Sequence, residues 1–152
     1  MTSNFSVLGA GVWGLAFSDY LLKLGHNVEI FCRDTNLSNK NISGLELSHV
    51  SDKNIMSLDT LNAQKSNGEI NIIAVNSKGF SELLNKHESY FNTLDELVSL
   101  TKGLDHTSGK YFSDYVFDMF SNIKRYGLIS GPSFAKDLCH EKKISVSFAT
   151  LD

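Results

Sequence analysis

Three glycines near the start of the chain have the spacing Gly-x-Gly-x-x-Gly, at Gly9, Gly11 and Gly14. They follow the short apolar run 5–8, and apolar residues at helical spacing come directly after them. By itself this spacing also fits an ordinary tight turn. Between a strand and a helix, the first glycine permits a sharp turn, the second permits close approach of a ligand, and the third permits tight packing of the helix. The pattern predicts a dinucleotide site in which a pyrophosphate binds backbone N–H groups at the start of the helix.

Arg33 and Asp34 follow the apolar run 28–32, which we interpret as the second strand. In a dinucleotide-binding unit the tip of this strand lies beside the adenosine ribose. A guanidinium there can pair with the 2′-phosphate of NADP or stack on adenine. Asp34 can reach the ribose or neutralise Arg33, and an exposed charged turn is the remaining alternative. The expected cofactor is therefore NAD or NADP.

Polar residues also follow two later apolar runs. Asn76 and Ser77 come after the run 70–75, and Lys102 comes after the run 97–100. Because the carboxyl ends of parallel strands face the ligand crevice, Asn76 and Ser77 are candidate contacts, although a plain helix-capping loop is equally consistent with them. The ammonium of Lys102, freed by the following glycine to point into the crevice, can bind a phosphate or a carbonyl oxygen.

Pro132, the single proline of the chain, lies between Gly131 and Ser133 where a strand (126–130) is expected to give way to a helix. Proline fits the first helical turn, and the N–H groups at that end can receive a phosphate. These residues complete a set of candidate contacts at the tips of successive strands.

The elements that must hold these residues alternate between apolar runs and helical patterns along the chain. This alternation predicts an α/β fold, a Rossmann-like doubly wound and mainly parallel sheet with helices on both faces. We expect a long surface excursion over 35–53, a short helix over 60–65, a turn at 67–68 and a last strand over 144–149.

Composition restricts the class of partner. The net charge of −3 and the absence of any run of Lys or Arg argue against nucleic acid and anionic membranes, so a small molecule is the expected ligand. No apolar run reaches the roughly 18 residues of a membrane span, and the first residues show no charged-then-apolar leader, so we expect a cytoplasmic chain. The five histidines and two cysteines show no metal-ligand spacing, and no metal is expected.

Three blocks of the chain together resemble the N-terminal half of the bacterial-type NAD(P)-dependent glycerol-3-phosphate dehydrogenases. They are the glycine loop 9–14 with Gly-His-Asn-Val at 25–28, Leu-Thr-Lys-Gly-Leu at 100–104, and Ser-Gly-Pro-Ser-Phe-Ala at 130–135. They occur in the family's order and near its spacing, and they cover essentially the whole chain. The resemblance implies hydride transfer between NAD(P)H and dihydroxyacetone phosphate, giving sn-glycerol 3-phosphate for phospholipid biosynthesis.

The resemblance also implies roles for particular residues. Trp13, Arg33, Lys102 and Ala135 look like cofactor contacts, and Lys102, Gly131 and Ser133 look like substrate contacts. Lys102 is the candidate catalytic residue, because a cation beside the carbonyl oxygen stabilises the charge that develops during reduction.

The chain departs from the family pattern at two cofactor positions. Val12 replaces a usual serine, so only its backbone N–H is left for the pyrophosphate, and Asn76 replaces a usual proline. The family also continues into a helical C-terminal domain that carries the proton-transfer lysine, and that domain is absent from these 152 residues. We therefore interpret residues 1–152 as a dinucleotide-binding domain that is not active alone; a homodimer of the full-length enzyme is left open.

Two alternative functions are consistent with the same glycine loop. One is another two-domain reductase of the ketopantoate or hydroxyacid type, although the Ser-Gly-Pro-Ser-Phe-Ala block argues against it. The other is a catalytically silent dinucleotide-binding module.

Overall fold

The computed structural model describes residues 1–36, 44–63, 70–131, 134–140 and 143–151. Within these ranges the strands are β1 (Asn4–Leu8), β2 (Asn27–Cys32), β3 (Ile55–Ser57), β4 (Ile70–Ile73), β5 (Glu96–Ser99), β6 (Arg125–Ser130) and β7 (Ser147–Leu151). These seven described strands form one sheet in the order β3-β2-β1-β4-β5-β6-β7, in which β7 alone is antiparallel to its neighbour. The helices are α1 (Val12–Lys23), α2 (Phe80–Lys86), α3 (Glu88–Phe91), α4 (Phe112–Met119) and α5 (Ala135–Cys139).

Helices cover both faces of this sheet. Successive side chains of a strand point to opposite faces, so Val7 joins the core under α1 and α5 while Leu8 joins the core under α2, α3 and α4. The pair Ile72 and Ile73 divides in the same way. Burial on both faces explains why these strands are continuous apolar runs. The predicted doubly wound, mainly parallel fold is confirmed.

The centre of the sheet creates a crevice. β1 pairs with β2 on one side and with β4 on the other, and the chain leaves these strands toward opposite halves of the sheet. Where strand order reverses in this way, a gap opens between the loops at the carboxyl ends. Gly9, Gly11, Arg33, Asn76 and Lys102 lie at this edge of the sheet.

Some element boundaries differ from the prediction. The last strand begins at Ser147, three residues later than expected, because it starts only where it pairs with β6. The predicted short helix is a 3-10 helix over Leu58–Ala63, and the expected turn at 67–68 lies outside the described residues.

The segment expected as a surface excursion is anchored to the core in its described part. Leu45 and Val50 are buried in the cluster beneath α1. The carboxylate of Asp19, on the buried side of α1, accepts hydrogen bonds from the N–H groups of Ser48 (3.0 Å), His49 (2.7 Å) and Val50 (2.8 Å). One charged side chain thus satisfies three consecutive donors and fixes the loop to the helix.

Burial opposes ionisation of this carboxyl and by itself would raise the pKa of Asp19. The pKa is lowered overall, because burial is outweighed by hydrogen bonds from the backbone of Val50, His49 and Ser48 and from the His49 side chain. The carboxylate is therefore ionised at neutral pH and holds the loop as a charged acceptor.

Among the helices that the structure describes, none has the length and apolar character needed to cross a membrane.

Candidate functional site: a cleft at the strand-order reversal

The glycine loop joins β1 to α1, and its three glycines have different structural roles. Gly9 has φ +123°, and a Cβ there would lie 2.6 Å from the carbonyl oxygen of Ala74. A Cβ on Gly14 would collide with the carbonyl oxygen of Gly9. The fold itself therefore requires Gly9 and Gly14.

Gly11 is different, because the fold does not require it. Its φ is −76°, which any residue adopts, and a Cβ there would meet nothing closer than the Ala74 carbonyl oxygen at 4.0 Å. A Cβ in the open space beside Gly11 would therefore obstruct a ligand without colliding with the rest of the protein. This observation fits a bound pyrophosphate.

The start of α1 lies next to this space, because Gly11 immediately precedes the helix. Gly11 is the residue that caps the helix, and no side chain among the described residues caps its first turn. The N–H groups of that turn, beginning at Val12, point out of the helix end together with its positive dipole. An anion in the crevice would meet both.

Two clefts open at this edge of the sheet and meet at Ala74, Val75 and Asn76. The first cleft, about 260 Å³, lies between the tips of β4, β5 and β6 and includes Trp13 and Lys102. The second cleft, about 390 Å³, lies between the tips of β1, β2 and β4. Together they form an elongated site that passes the glycine loop, as a dinucleotide requires.

The second cleft contains the residues at the tip of β2. Arg33 and Asp34 line it together with Gly9, Gly11 and the buried side chain of Cys32. The structure thus brings the predicted ribose-side residues to the glycine loop.

The first cleft is crossed by Lys102. Its ammonium donates a hydrogen bond to the carbonyl oxygen of Gly131 at 3.2 Å, which brings together two predicted substrate residues from the tips of β5 and β6. Among the described residues that line this cleft, Lys102 is the one ionisable side chain. A single cation in a cleft lined by carbonyls, hydroxyls and apolar groups can bind a phosphate or stabilise an oxyanion.

Buried hydroxyls hold the loop that carries Lys102. Ser99 donates from its Oγ to the carbonyl oxygen of Thr101 and accepts from the Thr101 N–H, both at 3.0 Å. The Thr101 Oγ1 donates to the carbonyl oxygen of Val75 at 2.7 Å, which ties β5 to β4. Thr101 belongs to the Leu-Thr-Lys-Gly-Leu block, but neither it nor Ser99 was given a role from the sequence, although the Ser-x-Thr spacing before Lys102 was a usable signal.

Asn76 lines both clefts and also caps the following turn. Its Oδ1 accepts a hydrogen bond from the N–H of Gly79 at 2.9 Å, so the capping role is present together with a position in the site. Ser77 lies at the rim of the first cleft, and its hydroxyl is 3.3 Å from Nε2 of His106. His106 is exposed and was given no role in the site from the sequence, because no motif includes it.

Of the remaining predicted residues, one lies away from the two clefts and one lies outside the residues that the structure describes. Ala135 is buried and lines a separate hollow with Val12, Trp13 and Phe134, so the structure does not bring it into the two clefts. Ser133 lies outside the described residues. Among the residues that are described, no group of three His, Cys, Asp or Glu side chains forms a metal site.

The fold and the clefts define a dinucleotide-binding α/β domain. The family described as the N-terminus of NAD-dependent glycerol-3-phosphate dehydrogenase matches residues 4–152. The chain belongs to this family.

Curated relatives agree with this assignment. The glycerol-3-phosphate dehydrogenase [NAD(P)+] of Francisella tularensis subsp. novicida is 30% identical over 169 residues, which cover 100% of this chain and 47% of the relative. The enzyme of the same description from Thermoanaerobacter sp. is 30% identical over 153 residues, which cover 98% of this chain and 46% of the relative. The chain thus spans about half the length of the curated relatives it matches.

Solved structures show the same fold. The glycerol-3-phosphate dehydrogenase of Coxiella burnetii superposes with a TM-score of 0.77 at 21% identity, covering 99% of this chain and 47% of that one. The enzyme of Saccharomyces cerevisiae gives a TM-score of 0.71 at 14% identity, covering 98% of this chain and 47% of that one.

Proposed function

We propose that this chain is the cofactor-binding half of an oxidoreductase that transfers hydride between NAD(P)H and dihydroxyacetone phosphate or sn-glycerol 3-phosphate. The observation that carries the proposal is the continuous site at the strand-order reversal, with open space at Gly11 and Lys102 at the far end. The family and the relatives support the same reaction.

In this proposal each residue of the chain has a defined task. Backbone N–H groups from Val12 onward bind the pyrophosphate, and Arg33 binds the adenosine end by pairing with a 2′-phosphate or by stacking. When bound, NAD(P)H supplies the hydride. Lys102 stabilises the negative charge that grows on the carbonyl oxygen of the substrate, and Gly131 and Ser133 orient the triose phosphate. Trp13 and Asn76 complete the cofactor contacts in the two clefts, whereas Ala135 lines a separate hollow and has no contact in this proposal.

The described cleft does not supply a complete set of catalytic groups. Reduction of a carbonyl also needs a proton donor and exclusion of water. Among the described residues that line the first cleft, Lys102 is the one ionisable side chain. His106 is exposed at the rim of this cleft, beside Ser77. We therefore propose that the proton donor and most of the substrate phosphate site come from a C-terminal helical domain of the kind found in the family, and that residues 1–152 alone bind cofactor without turnover.

A kinetic experiment tests this division of labour. NADPH oxidation with dihydroxyacetone phosphate is measured for the 152-residue chain, alone and with a family C-terminal half supplied in trans or fused. The expected result is no turnover above background alone and turnover with the second half. Robust turnover by the isolated chain, abolished by His106→Gln, would instead assign the proton donor to His106.

The second candidate function is a dinucleotide-binding module without catalytic activity. It is favoured because Lys102 is the one ionisable side chain among the described residues that line the first cleft. This module would bind NAD(P)H with the same affinity but gain no turnover from any second half.

We further propose a cytoplasmic location, where nicotinamide cofactors and triose phosphates are abundant, and a homodimer for the full-length enzyme. Cell fractionation and light scattering measure these two properties.

A further inference from the structure

His87, at the junction of α2 and α3, is a buried side chain without a polar partner. It is 2% exposed, and neither ring nitrogen has a hydrogen-bond partner among the described residues. Leaving a buried polar group unsatisfied is unfavourable, so native structures seldom keep one without a reason. A ligand contact would provide that reason.

His87 lines a small side cavity of about 90 Å³. The cavity also contacts residues of the second cleft, since the two share Arg33, Leu58, Val75, Asn76 and Leu83. His87 therefore lies in a cavity that adjoins the adenosine end of the proposed dinucleotide site.

The chemistry of this cavity favours an uncharged ligand group at His87. Burial and the positive charge of Lys86 lower the pKa of His87, and the charge of Asp59 only partly opposes them, so the imidazole is neutral at physiological pH. Lys86 is paired with Asp59 at 3.2 Å, and Glu82 also lines the cavity. A neutral ring with one N–H donor and one nitrogen acceptor suits the edge of a heteroaromatic base better than a phosphate.

We propose that the adenine of the cofactor enters this side cavity and that His87 is its polar partner. The imidazole turns about its Cβ–Cγ bond to present one nitrogen to the edge of the base. His87 is then an adenine-positioning residue that contacts the edge of the base, whereas Arg33 pairs with the 2′-phosphate or stacks on the face of the base. This inference rests on the proposed binding of NAD(P)H.

Titration of variants with three probes tests the inference. NADH and ADP-ribose contain adenine, whereas reduced nicotinamide mononucleotide does not. We expect His87→Leu to weaken NADH and ADP-ribose about three- to tenfold, the effect of one neutral hydrogen bond, and to leave the mononucleotide unchanged. His87→Gln, which keeps a donor and an acceptor, should recover most of the affinity. Thermal unfolding of each variant shows whether the fold is intact.

Unchanged NADH affinity in His87→Leu, or equal weakening of all three probes, would overturn the inference. If His87→Leu does not fold, the ring nitrogens of His87 are observed by NMR in the unmodified chain, and their resonances must shift when ADP-ribose is added. Unshifted resonances would also overturn it. Failure of the unmodified chain to bind either NADH or NADPH would instead reject the proposed function itself.

Discussion

Substitution of the two glycines Gly9 and Gly11 should separate folding from cofactor binding. Gly11→Val introduces a side chain into the open space where the pyrophosphate is proposed to lie, at a backbone conformation that valine tolerates. We expect loss of at least one hydrogen bond to a charged phosphate, about 1.5–3 kcal/mol, which corresponds to about 10- to 150-fold in affinity. The change of helix-capping residue should cost at most about 1 kcal/mol of stability.

Gly9→Ala is the matched control. It combines a strained φ of +123° with a Cβ 2.6 Å from the Ala74 carbonyl oxygen. Strain and overpacking together should cost about 2–6 kcal/mol, and the melting temperature should fall by about 4–24 °C. Gly9→Ala is thus expected to damage the fold, and Gly11→Val the site.

Calorimetric titration with NADPH and thermal unfolding of the same samples measure both effects. Equal NADPH affinity for Gly11→Val and the unmodified chain would refute the pyrophosphate assignment. A melting temperature of Gly11→Val as low as that of Gly9→Ala would refute the claim that the fold does not require Gly11.

Three further predictions concern single side chains. Arg33→Ala should weaken NADPH by about 1.5–3 kcal/mol and NADH less, as measured by calorimetry, whereas equal losses would assign Arg33 to adenine stacking. Lys102→Ala in an enzyme completed by a C-terminal half should lower kcat/KM on the order of a hundredfold in steady-state kinetics, and an unchanged value would exclude an oxyanion role. Asp19→Asn should lower the free energy of unfolding in urea by about 2–4 kcal/mol at pH 7, and a loss that persisted undiminished in acid would contradict the charged-acceptor role.

The pH dependence of that last effect has a defined sign. The pKa of Asp19 is lower in the folded chain than its ordinary value of 3.8, so the unfolded chain binds more protons between these two pKa values. The contribution of the carboxylate is complete above pH 3.8 and is lost as the pH falls through the folded-state pKa. The difference between the unmodified chain and Asp19→Asn should therefore shrink in acid.

Local patterns were sufficient to predict the central sheet and the glycine loop. A strand that is buried on both faces is encoded by a continuous apolar run, which can be recognised in the sequence. A tight turn with a positive φ favours glycine, which is the residue found at position 9. Both features therefore depend only on residues close together in the sequence. The Lys102 position was predictable for the same reason, since strand tips in a parallel sheet share one edge.

Features that depend on distant residues were not predictable. Asp19 is bonded to backbone groups 29 to 31 residues away, and a carboxylate within a helix gives no sign of such partners. His87 follows a short helix whose polar residues suggest a solvent-exposed position. The turn into α3 instead carries His87 into the core. The polar, Asn- and Ser-rich composition of the 35–53 segment likewise suggested a surface loop, whereas Leu45 and Val50 pack beneath α1.

The central claim is that one dinucleotide binds across both clefts at the strand-order reversal. Backbone amide chemical shifts of the isotope-labelled chain, recorded during titration with NADPH, test it most directly. We expect saturable shifts clustered at Gly11 and Val12, at Arg33, at Asn76 and at Lys102, with little change on the exposed side of α4. Absence of shifts at the glycine loop, or a cluster confined to another face of the domain, would contradict it.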